Sequence, residues 1–360
     1  MKLVSVDKLE PGFVVSENIY TIDDRLVLTK GTVLDEKSIE RIKAHSLYNI
    51  FVEDEKQDVI PDEELLLKDL SYNERLRNTE EFIKFKQHVE ENAERLEESF
   101  RMIANDTMPL DVDKLTEPVF KLFVEAGGSA GIFDMLHNMR DNSDAIFMHS
   151  LNVSLISNTI ATWMRLSEEE IYLATAGGLL HDIGKMLLPP EIINKKTPLT
   201  PDEQKIMKTH VTKGYGLVQK KNIDTRIRNC ILMHHEMRDG SGYPLALRNE
   251  KIDDLASIVC VANVYDEMTC RREFREAFCP FTVIELFEKE GIDKFNPKVI
   301  FPFLSNIINT FIANRVMLST GQVGDIIFIN PDHLARPLVK CGEQYIDLAK
   351  KREISIISVV

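Results

Sequence analysis

The run Gly177-Gly178-Leu179-Leu180-His181-Asp182-Ile183-Gly184-Lys185 decides how this chain of 360 residues is read. An apolar stretch ends there in adjacent nitrogen and oxygen donors, and burying ionisable groups is costly unless something compensates them. A divalent cation would. Neutral imidazole with ionised carboxylate suits Fe, Mn, Co, Ni or Zn, whereas an all-oxygen set would suit Mg or Ca. The absence of Cys ligands argues against a structural zinc site.

Outward from this doublet, five of the nine histidines lie between residues 149 and 235: His149, His181, His210, His234 and His235. With Asn263 they recur at steps of roughly 30 residues, about one helix plus its return, so each falls on a different helix and all can converge inside a bundle. His234 and His235 point about 100° apart on a helix. Either each ligates one ion of a pair, or one ligates and the other orients it. Lys185 falls one turn after His181 and Asp182; it is either a solvated surface lysine or a donor to a bridging hydroxide or phosphate oxygen. Asp239-Gly240-Ser241-Gly242-Tyr243-Pro244 reads as a tight loop allowing close backbone approach, with an aromatic ring for stacking, or else as a plain connection.

The rest of the chain divides around this region. Residues 1–55 mix short β-like runs (Leu3–Val6, Phe13–Val15, Arg25–Leu28, Tyr48–Val52) with a helix over Asp35–His45, a small α/β adaptor or sensor that could take a protein partner. Residues 56–130 open with an acidic, Pro61-containing linker. They continue in a long amphipathic helix with Phe82, Phe85, Val89, Ala93, Leu96, Phe100 and Ile103 on one face, suited to core packing or to a homodimer seam. Residues 131–318 read as consecutive helices and form the main domain. Residues 319–360 return to strand-like runs, Val323–Ile329 and Ile354–Val360, a β-rich appendage. The expected fold is mainly α.

Composition bounds the function. With 44% hydrophobic and 28% charged residues the chain is an ordinary globular protein, and its formal charge of −14 repels polymeric nucleic acid and anionic lipid. The longest apolar stretch, Phe301–Leu318, is broken by Ser305, Asn306, Asn309, Asn314 and Arg315, so no membrane span is expected. Met1–Glu10 has no basic-then-apolar leader, and the five cysteines form no C-x-x-C pair, which makes the cytoplasm the expected location.

The ordered series His149-Ser150, His181-Asp182 with Lys185, Leu199-Thr200 with Glu203, His210 with Gly214, His234-His235-Glu236, Gly242-Tyr243-Pro244 and Arg272-Glu273-Phe274-Arg275 resembles the HD-GYP family, from about Asn142 to Leu318. The resemblance implies an HD-superfamily helical bundle, a centre of two or three metal ions, often Fe or Mn, and hydrolysis of cyclic di-GMP to pGpG and often GMP. It places the metal ligands at His149, His181, Asp182, His210, His234 and His235, with Asp182 bridging. Lys185 becomes the catalytic helper, and Gly242, Tyr243, Pro244, Arg272 and Arg275 face the substrate. Such metals lower the pKa of a shared water and polarise the phosphoryl oxygen, and with Lys185 and the arginines they reconcile an anionic substrate with an acidic chain.

Two positions depart from the family. Asn263 stands where the family usually has an Asp ligand, a neutral and poorer donor, with Asp266 one turn later as the carboxylate that could stand in. Ala145 stands where three-metal members carry an acidic ligand, which favours two ions over three, Asp144 being a remote substitute. The alternatives are a degenerate domain that binds cyclic di-GMP without efficient turnover, and an HD-type hydrolase of another nucleotide, such as a mixed cyclic dinucleotide.

Overall fold

The computed structural model describes residues 1–21, 26–45, 47–53, 71–139, 146–271 and 275–360. The expected acidic linker near Pro61, the positions Asp144 and Ala145, and Arg272 with its two followers lie outside the described residues.

The chain runs β1 (Lys2–Ser5), β2 (Ile19–Tyr20), β3 (Leu26–Leu28), α1 (Glu36–Ala44) and β4 (Asn49–Val52), then α2 (Tyr72–Arg77), α3 (Glu80–Ala104), α4 (Val112–Glu125) and α5 (Ile132–Met139). There follow α6 (Ile146–Trp163), α7 (Glu168–Leu180), α8 (Pro190–Ile193), α9 (Pro201–Lys208), α10 (His210–Val218), α11 (Thr225–Met233), α12 (Asp254–Thr269), α13 (Pro280–Lys294) and α14 (Pro297–Ile307). Five strands close the chain: β5 (Arg315–Leu318), β6 (Val323–Asn330), β7 (His333–Cys341), β8 (Gln344–Asp347) and β9 (Ile356–Val359).

The protein is mainly α, with α6 at its centre. From Phe147 to Ala161 every residue of α6 is buried, with α7, α12 and α3 packed on it, and polar members such as Ser154 and Asn158 bond Thr175 of α7. Helix starts are written locally: Ser167 and Glu170 form a reciprocal capping box at α7, and Thr200 and Glu203 do the same at α9. Thr200 and Glu203, part of the family-like series, are thus seen here in a structural task.

The seven stripe positions of α3 are buried within the chain, whereas Ile83 and Met102, off the stripe, are exposed. That corrects the homodimer seam on residues 82–103: the stripe is already covered by the chain's own core, shared with α4, α5 and α6.

The N-terminal module pairs β1 with β4 and β2 with β3, both antiparallel, around its own small core that includes Phe13, Leu34 and Ile42. Val14 and Val15 form isolated bridges rather than a strand. The module is pinned to the bundle by buried charges. Lys37 and Arg41 of α1 reach Asp134 of α5 at 2.8 and 3.2 Å, and all three residues are under 8% exposed.

At the far end the sheet order is β8-β7-β6-β5-β9, antiparallel throughout. Residues 315–318, grouped by sequence with the helices, pair within this sheet, and Val316, Ile326 and Val339 join the main core. Glu288 of α13 accepts the N–H groups of Leu334 and Ala335 on β7, fixing sheet to bundle.

Candidate metal centre

α7 delivers the doublet. The helix is buried from Leu173 onward and stops at Leu180, so His181 caps it and Asp182 opens a 3-10 turn over Ile183–Leu187. Lys185 therefore lies on a tighter turn than a continuing helix would give. Gly184 is what permits this turn to seat against α10, since a Cβ there would lie 1.9 Å from the His210 carbonyl oxygen. His149 comes from the first turn of α6, His210 opens α10, His234 and His235 follow the end of α11, and Asn263 lies within α12.

Their imidazoles are set by a repeated device. Nδ1 of His181 faces the Gly178 carbonyl oxygen at 2.7 Å, Nδ1 of His210 that of Met207 at 2.7 Å, and Nδ1 of His234 those of Cys230 and Ile231 at 3.1 Å. A carbonyl can only accept, so each Nδ1 carries the proton and each Nε2 presents a lone pair inward. His149 follows the same rule with a side chain, its Nδ1 lying 2.7 Å from the Asp266 carboxylate.

The lone pairs converge. Asp182 Oδ2 lies 3.2 Å from His181 Nε2 and 3.7 Å from His149 Nε2, while its Oδ1 lies 3.1 Å from His210 Nε2 and 3.9 Å from His234 Nε2. Nε2 of His210 and of His234 stand 3.2 Å apart. Acceptors facing acceptors in a buried site repel unless a cation lies among them. Among the described residues, His181 Nε2 and Asp182 Oδ1 are buried without a hydrogen-bond partner. Two groups have donor atoms within 4.8 Å of one another, His149-His181-Asp182 and His210-His234-His235. The donor set fits divalent metal.

Electrostatics agree. Burial, then the neighbouring histidines, push His234 and His235 far below the usual imidazole range, which keeps them neutral. Burial alone would raise Asp182, but its close pairing with the Lys185 ammonium and its place among the imidazoles hold the carboxyl well below its usual value. The Lys185 ammonium donates to Asp182 Oδ2.

The remaining predicted residues fall at different distances from this cluster. Tyr243 stacks on His235, centroids 4.6 Å apart, with Lys208 Nζ 4.9 Å from its ring centroid. Burial and the charges of Glu267 and Asp182 raise its phenol far above 10. Gly242 brings the loop onto its own approach segment, since a Cβ there would lie 2.3 Å from the Met237 nitrogen; Pro244 is half-buried beside it. Arg275 donates to the Glu267 carbonyl, at the last turn of α12, and lies over the Phe278 ring. Asn263 presents Oδ1 2.9 Å from His149 Nε2.

Asp266 does not stand in for a ligand at Asn263. Its oxygens are engaged by His149 Nδ1, by Asn152 at 3.1 Å and by the Cys270 thiol at 3.3 Å, on the far side of the imidazole. Sequence reasoning named Glu236 within the family-like series but gave it no role. Only 2% exposed, it accepts the N–H groups of Leu245 at 2.6 Å and Leu247 at 2.8 Å, clamping the loop that carries Tyr243. Its place directly after His234-His235 was the one signal available.

The chain is similar to known proteins over part of its length. Residues 135–299 match the HD domain family. The match spans a little under half of the chain. The chain is 30% identical over 206 residues to a cyclic di-GMP phosphodiesterase of Pseudomonas aeruginosa, covering 57% of this chain and 50% of that protein. To a cyclic di-GMP phosphodiesterase of Thermotoga maritima it is 35% identical over 178 residues, 48% of this chain and 47% of that one. To a 3'3'-cGAMP-specific phosphodiesterase of Vibrio cholerae it is 30% identical over 148 residues, 41% and 34% of the two chains. The chain spans about half or less of the length of these relatives. Among the described residues, no helix is long and apolar enough to cross a membrane.

Proposed function

We propose that this chain is a metal-dependent phosphodiesterase that hydrolyses cyclic di-GMP to pGpG, GMP or both. The observation that carries the reading is Asp182, whose two oxygens face two different histidine groups. Two divalent ions, which the donor set allows to be Fe, Mn, Co, Ni or Zn and the family resemblance narrows to Fe or Mn, would be held by His149, His181, Asp182 and Asn263 on one side and by His210, His234, His235 and Asp182 on the other. Bound there, such ions supply Lewis-acid polarisation of a phosphoryl oxygen and an acidified water.

The chain's own groups supply the rest. Lys185, anchored on Asp182, is the donor that would stabilise charge developing on the phosphate. Tyr243 offers its ring to a guanine base, with Gly242 and Pro244 shaping the loop, and Arg275 with Arg272 would meet the phosphates, for which guanidinium forks are suited. The cations around the centre would outweigh the chain's negative total locally. The cytoplasm is the location we propose, where the free thiols of the five cysteines would persist; residues 1–55 would serve as the adaptor or sensor.

A second reading, a cyclic di-GMP receptor without efficient turnover, draws on one observation: the neutral amide of Asn263 in the ligand shell. The test is product separation after anaerobic loading with Mn(II) or Fe(II) and incubation with cyclic di-GMP and, separately, 3'3'-cGAMP, with His181→Ala as control. Metal-dependent pGpG or GMP, lost in the control, is expected. Stoichiometric capture of intact cyclic di-GMP supports the receptor, and cleavage of 3'3'-cGAMP alone reassigns the substrate.

A further inference from the structure

The buried contact between the N-terminal module and the bundle leads toward the metal centre. Arg41 of α1 donates to three groups: the Ala130 carbonyl at 3.2 Å, the Asp134 carboxylate at 3.2 Å and the Thr310 carbonyl at 2.6 Å. Asp134 is one helical turn before His137 on α5. Thr310 directly precedes Phe311, whose ring stacks on His137 with centroids 5.0 Å apart and planes at 17°. One guanidinium thus ties together the two segments that enclose His137.

His137 Nε2 in turn lies 2.8 Å from the hydroxyl of Tyr265. Tyr265 is fully buried on α12, packed edge-on against Phe133 and Phe303. It stands between Asn263 and Asp266, the two residues of α12 that touch Nε2 and Nδ1 of His149. A shift or rotation of α12 about Tyr265 moves both contacts together. The other histidine group, His210-His234-His235, belongs to α10 and the end of α11.

We infer that His137 and Tyr265 are positioning residues for the His149 half of the metal centre, and that Arg41 makes that half responsive to the docking of the N-terminal module. This rests on the metal-centre reading above. Residues around a metal ligand typically alter affinity by about 10- to 100-fold when removed, and a packed helix passes a displacement along rather than absorbing it. Proximity alone does not establish coupling, so the test must measure it.

The experiment is calorimetric titration of Mn(II) into the full chain, resolving the two binding steps, for wild type, His137→Phe, Tyr265→Phe, Arg41→Met and the pairwise combinations. The His137→Phe variant retains a ring against Phe311, and Tyr265→Phe retains the packing within the aromatic cluster, so each removes little beyond the hydrogen bond. His181→Ala and His234→Ala assign the steps to the two halves. Expected is about tenfold weaker binding at the His149 half in both single variants, no further loss when the two are combined, and an unchanged second step. Arg41→Met should weaken the same step, and adding it to His137→Phe should change nothing more. Hydrogen exchange of metal-free protein should show amides of residues 254–269 opening faster in all three. Equal weakening of both steps would mean general destabilisation and overturn the inference, as would unchanged binding or an Arg41→Met effect that adds fully to that of His137→Phe. A wild type that binds no Mn(II) defeats the metal-centre reading and this inference with it; a wild type that binds while the variants match it defeats this inference alone.

Discussion

Asp266 holds Nδ1 of His149 at 2.7 Å, and this contact makes Nε2 the nitrogen available to a metal. The carboxylate is buried and further engaged by Asn152 and Cys270, so it is committed to orientation. Replacing it with Ala frees the ring to rotate and to take the other tautomer. Asp266→Ala should weaken Mn(II) binding by about 10- to 100-fold at one of the two sites, read by competition with a chelator. Wild-type affinity in the variant would show that His149 needs no orienting partner.

Asn263 sets two acceptors, its own Oδ1 and His149 Nε2, 2.9 Å apart, while its Nδ2 is buried without a hydrogen-bond partner among the described residues. Asn263→Asp would add a second carboxylate to a site already holding ionised Asp182. Without metal that charge lacks compensation and should lower Tm by several degrees; with Mn(II) it becomes the better donor and should raise Tm above that of loaded wild type. Thermal melts with and without Mn(II) check this, and parallel shifts in both states would refute it.

The histidines and the doublet were legible because metal-ligating residue types recurring at helix-length spacing can meet inside a bundle, where only a shared cation makes their burial affordable in number. The stripe of α3 was legible because seven apolar positions share one face. The parts that were not legible depend on long-range pairing. Val316 and Val339 become core only when β5 and β7 join a sheet whose strands include Pro337 and polar interruptions. Asp266 and Asn263 differ by less than one turn, and which touches which nitrogen of His149 is settled by the docking of α12 on α6. Glu236 looks like any solvated glutamate until Leu245 and Leu247 turn their N–H groups toward it.

Lys37 gives the module contact a pH signature. Burial outweighs its attraction to Asp134 and lowers its ammonium from 10.5 to about 8. Below pH 8 both folded and unfolded states hold the proton; between about 8 and 10.5 the unfolded chain holds it more often. Stability from this group therefore rises with pH in that window, by at most about 1.4 kcal/mol per pH unit. Urea unfolding of wild type and Lys37→Met, compared at pH 7.5, 8.5 and 9.5, should show the difference moving in favour of wild type as pH rises. A flat or opposite trend would contradict it.

Gly184 should tolerate no side chain. A Cβ would meet the His210 carbonyl oxygen at 1.9 Å and the Gly214 nitrogen at 2.5 Å, both backbone atoms that cannot swing aside. Gly184→Ala should cost about 1–3 kcal/mol or more by overpacking and should reduce bound metal by parting the His181 and His210 segments. Denaturant melts and metal analysis test it; a variant with unaltered stability and full metal content would mean the turn can open without consequence.

Glu236 separates loop order from metal binding. Its two oxygens accept two backbone N–H groups from the segment following Tyr243, a pairing no neutral side chain reproduces. In Glu236→Gln one oxygen remains to accept, while the amide N–H₂ faces a backbone donor and cannot bond it. Losing one charge-assisted bond costs about 1.5–3 kcal/mol, and much of that cost should fall on the loop because Glu236 itself is fixed beside His235. The ring of Tyr243 would then spend less time stacked where a base can meet it. On the proposed activity, KM for cyclic di-GMP should rise about tenfold, while metal content and the order of the His210-His234-His235 group stay near wild type. Steady-state kinetics on samples with counted metal make the distinction: loss of metal with unchanged KM would show that Glu236 serves the histidines rather than the loop.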